Sequence, residues 1–200
     1  MTNETNKTNG WKKGGYQNLI VYQLAVVIYD LNHKFCRQFI KSPRTKEQME
    51  QASRSGKQNI VEASSEKSLK MNIKLTGVAR GSFGELLEDY KDFLRVRDLP
   101  IWDKDDQRVL AIRQMRIGTN GTKKTNLTNK ANWSFWTNEP ERFANLMITL
   151  ISKENYLLDQ MVRSLEEKFV KQGGYSENLT KKRLLERKKQ FSRWSSSRWS

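Results

Sequence analysis

Residues 77–90 read GVARGSFGELLEDY, with three glycines and an arginine ahead of an acidic run. A strand feeding a phosphate-cradling loop here would make the chain an α/β enzyme, whereas a helix with glycines on one face would make it all-helical. A phosphate loop joins strand to helix and ends in Gly-Lys-Ser/Thr, so that backbone amides and a lysine meet phosphate. The stretch has neither the strand nor the lysine. Leu75, Ala79, Ser82, Phe83, Leu86, Tyr90, Phe93 and Leu94 instead return at helical spacing. The spacing predicts a helix over about 69–97 that Asp98-Leu99-Pro100 stops. Gly77, Gly81, Ser82 and Gly84 then read as places where a neighbouring backbone comes close, at a helix-propensity cost of about 1 kcal/mol per glycine.

The same period extends outward. From Tyr16 to Lys41 no proline interrupts, and Val21, Leu24, Ala25, Ile28, Phe35 and Phe39 form one apolar row. A second row, Tyr22, Val26, Tyr29, Cys36 and Ile40, makes the apolar surface wider than one core stripe needs and reads as an oligomer interface. After Ser42-Pro43, Thr45 and Gln48 offer a capping box for a helix over about 45–67. Its inward row of Met49, Ala52, Ser53, Gly56, Ile60 and Ala63 is mostly small and implies close helix contact. A short helix capped by Asp103 is expected near 103–117, then an Asn-, Thr- and Lys-rich loop over 118–138. The last core helix starts at Pro140, repeats Phe143, Met147, Leu150, Leu157, Met161, Leu165 and Phe169, and ends at Gly173-Gly174. Without a credible strand, the expectation is an all-α chain: an antiparallel four-helix bundle over 16–173. Residues 1–15 precede it, 101–138 form an insertion, and a basic tail occupies 174–200.

Composition then bounds function. The formal charge of +15 over 200 residues favours polyanionic partners. Residues 171–200 hold nine Lys and Arg against Glu177 and Glu186, nearly half of that charge. A single cysteine and an N-terminus without signal-peptide regions point to the cytoplasm. The apolar run LIVYQLAVVIYDL at 19–31 is too short, and too broken by Gln23 and Asp30, to span a membrane. His33 is the only histidine, which leaves His-based metal sets and triads one residue to work with, and Cys36 beside it reads as a small core hydrophobe. Glu85, Glu88, Asp89 and Asp92 face Lys91, Arg95 and Arg97 as a solvated helical surface. Asp103-Lys104-Asp105-Asp106 lacks the glycine and ligand pattern of a calcium loop. No catalytic residue, metal or cofactor is assigned.

Two segments mix cations with aromatics, a pattern that suits RNA because bases stack on rings while phosphates pair with Lys or Arg. One holds Lys123, Lys124, Lys130, Trp133, Phe135 and Trp136; its aromatics could equally close one end of the bundle. The other is 181–200, where Lys181, Lys182, Arg183, Arg187, Lys188, Lys189, Arg193 and Arg198 are candidate phosphate contacts and Trp194 and Trp199 candidate stacking rings. The alternative readings are a disordered tail, or a short basic helix that binds an acidic protein or membrane surface.

QMEQASRSGKQNIVEAS at 48–64 and GVARGSFGELLEDY at 77–90 together resemble a bacterial four-helix-bundle family first noted as reading frames within intervening sequences of large-subunit ribosomal RNA genes. Gln48, Ala52, Asn59, Ile60, Glu62, Gly81, Ser82, Glu85 and Leu86 carry the likeness, with VYQLA at 21–25 on the first helix. The family includes the accessory variability determinant of diversity-generating retroelements, a basic ring-forming bundle that partners a reverse transcriptase and its RNA. The chain departs from the short members in its 101–138 insertion, in Ala63 and Ser64, and in the extension after Gly174. The resemblance implies a non-enzymatic accessory protein that binds structured RNA or DNA, forms a homo-oligomer (a pentamer, as the family does), and acts beside a reverse transcriptase. The rival is a protein-interaction scaffold of the same architecture that binds no nucleic acid.

Overall fold

The computed structural model describes residues 15–115 and 130–196, and these are all-helical. A 3-10 turn, Tyr16–Asn18, leads into α1, Ile20–Phe39. Then come α2, Pro43–Ser65, and α3, Leu69–Arg95. Two short helices follow, α4, Gln107–Gln114, and α5, Lys130–Thr137. The long α6, Pro140–Gln172, and α7, Tyr175–Ser196, complete the chain. The phosphate-loop reading of 77–90 is excluded, since the whole stretch lies inside α3.

Helices α1, α2, α3 and α6 share one core, with α2 against α1 and α3, and α6 against α3 and α1. Its aromatic centre is Phe35, whose ring meets Tyr90 and Phe93 at 4.8 Å and Phe143 at 5.2 Å, all edge to face. Above that cluster the core holds a fully bonded polar knot. Asn32 is buried; its amide donates to Met49 O and Ser53 Oγ at 3.0 Å, and Tyr90 Oη donates to Asn32 Oδ1 at 2.8 Å. Because Asn32 bridges α1, α2 and α3 and every polar atom in the knot has a partner, it sets register rather than destabilising the core.

Helix ends depart from expectation in instructive ways. The cap of α2 is Ser42, whose Oγ accepts from Thr45 N at 3.3 Å, with Pro43 in the first turn. The expected Thr45 box is therefore already inside the helix. Asp106, not Asp103, caps α4 by accepting from Arg108 N at 2.8 Å. Arg108 also bonds that carboxyl through its side chain and holds Asp106 below the usual carboxylate range. The end of α3 is fixed by Asp98 at φ 52°, a left-handed residue that lets Leu99 N reach back to Leu94 O at 3.0 Å. The loop expected over 118–138 is helical from Lys130 to Thr137, and 116–129 lie outside the described residues.

The glycine reading divides. Gly56 of α2 is a close-contact position: a Cβ there would sit 2.7 Å from the Phe83 ring. Gly77 and Gly81 are exposed, and a Cβ on either would meet nothing within 4 Å; at Gly84 it would touch only the Arg80 side chain. The close approach predicted for these three is therefore wrong within the chain, because they lie on the outer surface of α3.

Candidate nucleic-acid interface

The cation-rich segment begins where α6 ends. Gly173, at φ 74°, ends α6 in a conformation that suits glycine, and the next turn is tied by side chains. Gly174 N donates to Glu177 Oε2 at 3.3 Å, and Asn178 Nδ2 donates to Gln172 O at 3.1 Å. From this joint α7 continues as a regular helix carrying seven Lys and Arg against Glu177 and Glu186. Tyr175–Ser196 of the tail thus has a definite helical shape.

Positions 183, 187 and 194 recur at helical spacing and put Arg183, Arg187 and Trp194 on one face, flanked by Leu184 and Phe191. Lys181 and Lys188 lie round the opposite side, with Lys182, Leu185 and Lys189 beside them. Lys181, Lys182, Arg183, Arg187, Lys188 and Lys189 are all exposed, as are the rings of Phe191 and Trp194, which lie 6.1 Å apart. Arg193 is on α7, but its side chain lies outside the described residues. Arg198, Trp199, Lys123 and Lys124 lie outside them altogether.

The second mixed segment behaves differently. Trp136 is half-buried and packs edge to face on Trp102 at 6.3 Å, and Lys34 Nζ donates to Thr137 Oγ1 at 2.7 Å. Trp102 is in turn anchored on α6, its backbone N donating to Asn145 Oδ1 and its indole to Glu141 Oε1, both at 2.8 Å. Trp136 therefore closes one end of the core. Phe135 stays exposed beneath the Arg142 guanidinium at 4.4 Å.

The remaining candidates are resolved by burial. Cys36 was expected on an outer face with Tyr22, Val26 and Tyr29, but it is wholly buried, and burial, with Glu50 adding to it, pushes its thiol up to about 12. Its Sγ lies 3.8 Å from Asn32 Oδ1 inside the core, so it cannot line an intermolecular surface. Tyr22, Val26 and Tyr29 are half-buried. Part of their cover comes from the chain itself: Tyr16 meets Tyr22 edge to face at 4.8 Å, and Lys57 Nζ sits 3.6 Å from the Tyr29 ring centre. His33 is exposed, 3.1 Å from Glu50 and turned away from the cysteine's interior slot. Among the described residues no three His, Cys, Asp or Glu side chains gather to hold a metal. No described helix is long and apolar enough to cross a membrane.

Two features escaped the sequence reading. Glu154 of α6 is fully buried with neither carboxylate oxygen hydrogen-bonded, and burial raises its pKa well above the usual range. It stands four residues after Leu150 in the core row, a position whose spacing alone could have exposed it. The other is an open groove between α2 and α3, about 610 Å³, lined by Glu47, Gln51, Ser55, Ser82, Glu85 and Asp89 together with Arg44, Gln48 and Ala52.

Comparison with protein-family models, curated proteins and solved structures finds no match. The class these features define is an all-helical protein that carries a separate, strongly basic helix after a tied glycine joint.

Proposed function

We propose that this is a non-enzymatic accessory protein whose four core helices form an antiparallel bundle and whose α7 binds structured nucleic acid, RNA above all. The contact Phe35–Phe143 supports the antiparallel arrangement, since it pairs the C-terminal end of α1 with the N-terminal end of α6. The observation that carries the function is α7 itself, a 22-residue helix beyond the core with Lys181, Lys182, Arg183, Arg187, Lys188, Lys189 and two aromatic rings exposed. Cations on a helical rod about 33 Å long track phosphates along a groove, and the rings supply stacking surfaces at unpaired bases. On the resemblance drawn from α2 and α3, the protein partner would be a reverse transcriptase acting on that RNA. A reverse-transcriptase gene and a template repeat beside this gene would bear that out, and their absence would count against it.

Fluorescence anisotropy of a structured RNA and a matched DNA duplex, across a salt series, tests the reading. Log affinity should fall with log salt by about 0.7–0.9 per phosphate neutralised. Replacing Lys181, Lys182, Arg183, Arg187, Lys188 and Lys189 by Gln should flatten that slope and weaken binding about tenfold or more. Weak binding that the replacement leaves unchanged would favour the scaffold reading.

A further inference from the structure

We infer that the acidic groove between α2 and α3 is a receptor for the arginine face of α7 from a second copy of this chain. Three carboxylates face the single cation Arg44 in the groove lining: Glu88 is paired with Lys91 and Asp92 with Arg95, but Glu47, Glu85 and Asp89 have no ion-pair partner among the described residues. Their crowding is felt, since burial first, and then the Asp92 and Glu85 carboxylates, raise the pKa of Asp89. In a chain of net charge +15 such a site has few natural occupants, and the strongest complement on the molecule is α7.

Spacing agrees with charge. Glu85 and Asp89 are one helical turn apart, about 6 Å along the axis, and so are Arg183 and Arg187. Leu184 and Phe191 flank those arginines and are 52% and 68% exposed, leaving apolar area to cover. Beside the groove, Gly77 and Gly81 leave the outer backbone of α3 bare to close approach. The occupant comes from another copy because the Glu177 and Asn178 bonds at Gly173–Gly174 set the exit of α7, and among the described residues α7 has no extensive packing on another helix of its own chain. Head-to-tail contact of this kind closes into a ring or extends into a chain. Lys181 and Lys188, on the other side of α7, stay open, so the inference goes beyond the nucleic-acid reading without depending on it.

Sedimentation velocity on the full chain, freed of nucleic acid, is the test. The wild type should self-associate at low salt and dissociate as salt rises. Arg183→Glu with Arg187→Glu, and separately Glu85→Lys with Asp89→Lys, should each weaken association by about tenfold or more. Mixing the two variants should restore association, because the unchanged basic helix meets the unchanged acidic groove and the reversed helix meets the reversed groove. All four positions lie at the surface, and circular dichroism on each variant checks that its helices persist. For a variant pair that misfolds, the single change Glu85→Lys supplies the same comparison. A wild type that stays monomeric at every concentration, variants that associate as the wild type does, or a mixture that forms no pair would each overturn the inference. RNA anisotropy on Glu85→Lys with Asp89→Lys separates the two readings: retained RNA binding with lost self-association is expected, and a wild type that binds RNA only as a monomer would leave the nucleic-acid reading standing alone.

Discussion

Glu154 carries a carboxyl into the core with no hydrogen-bond partner for either oxygen, and its raised pKa keeps it protonated where an exposed glutamate would be ionised. The sign follows from linkage. A carboxyl raised on folding costs least below its unfolded pKa, near 4.3, and its cost grows by up to about 1.4 kcal/mol per pH unit until the folded value is reached. Urea unfolding of wild type and Glu154→Gln from acid to neutral pH should therefore show the variant gaining relative stability as pH rises above that value. A difference that does not vary with pH would mean the carboxyl is not buried as described. The glycines make a second residue-scale prediction. Gly77→Ala and Gly81→Ala should each stabilise the fold by about 1 kcal/mol, because a methyl meets open space and helix propensity improves. Gly56→Ala forces the Phe83 ring to move and should cost about 1–3 kcal/mol by overpacking. Thermal melts of the three variants check both signs.

At the scale of the element, hydrophobic period made α1, α2, α3 and α6 legible, with boundaries within a few residues. Each of these helices buries a stripe, and a stripe is a pattern that a single sequence carries. What period cannot show is which of two equally spaced rows faces inward. Cys36 was placed outward because it keeps step with Tyr22 and Tyr29, yet it also stands one turn after Asn32 and is buried against it in the core. The α3 glycines were misplaced for a related reason: helical spacing puts residues on a common stripe without saying whether a neighbour covers it. Two caps were each missed by three residues, since Ser42, Thr45, Asp103 and Asp106 all have the chemistry and only geometry chooses among them. In the tail, charge and aromatics were legible, but a helix was only one of two readings beside disorder, as α7 has no apolar stripe whose period would decide between them. The acidic groove depends on two helices meeting and so left no trace in either helix alone.

Across the whole molecule, stability should be uneven. The core shared by α1, α2, α3 and α6 buries Phe35, Phe83, Tyr90 and Phe143 completely, whereas α7 keeps its leucines and rings exposed and leaves the core through the joint at Gly173–Gly174. Isolated helices of this length are marginal in water, and two acids among seven cations leave like charges facing one another along its length. Amide hydrogen exchange should thus divide the chain: amides of the core helices protected to near the global unfolding free energy, those of Tyr175–Ser196 exchanging through local fraying at far lower cost. The division also reports occupancy. A polyanion on the lysine side or a second copy on the arginine side adds contacts that only the formed helix can make, so α7 protection should rise with RNA concentration or with protein concentration while core protection stays level. Protection of α7 equal to that of the core in dilute protein without RNA would mean that the helix is docked within its own chain, and the free basic helix on which both readings rest would be lost.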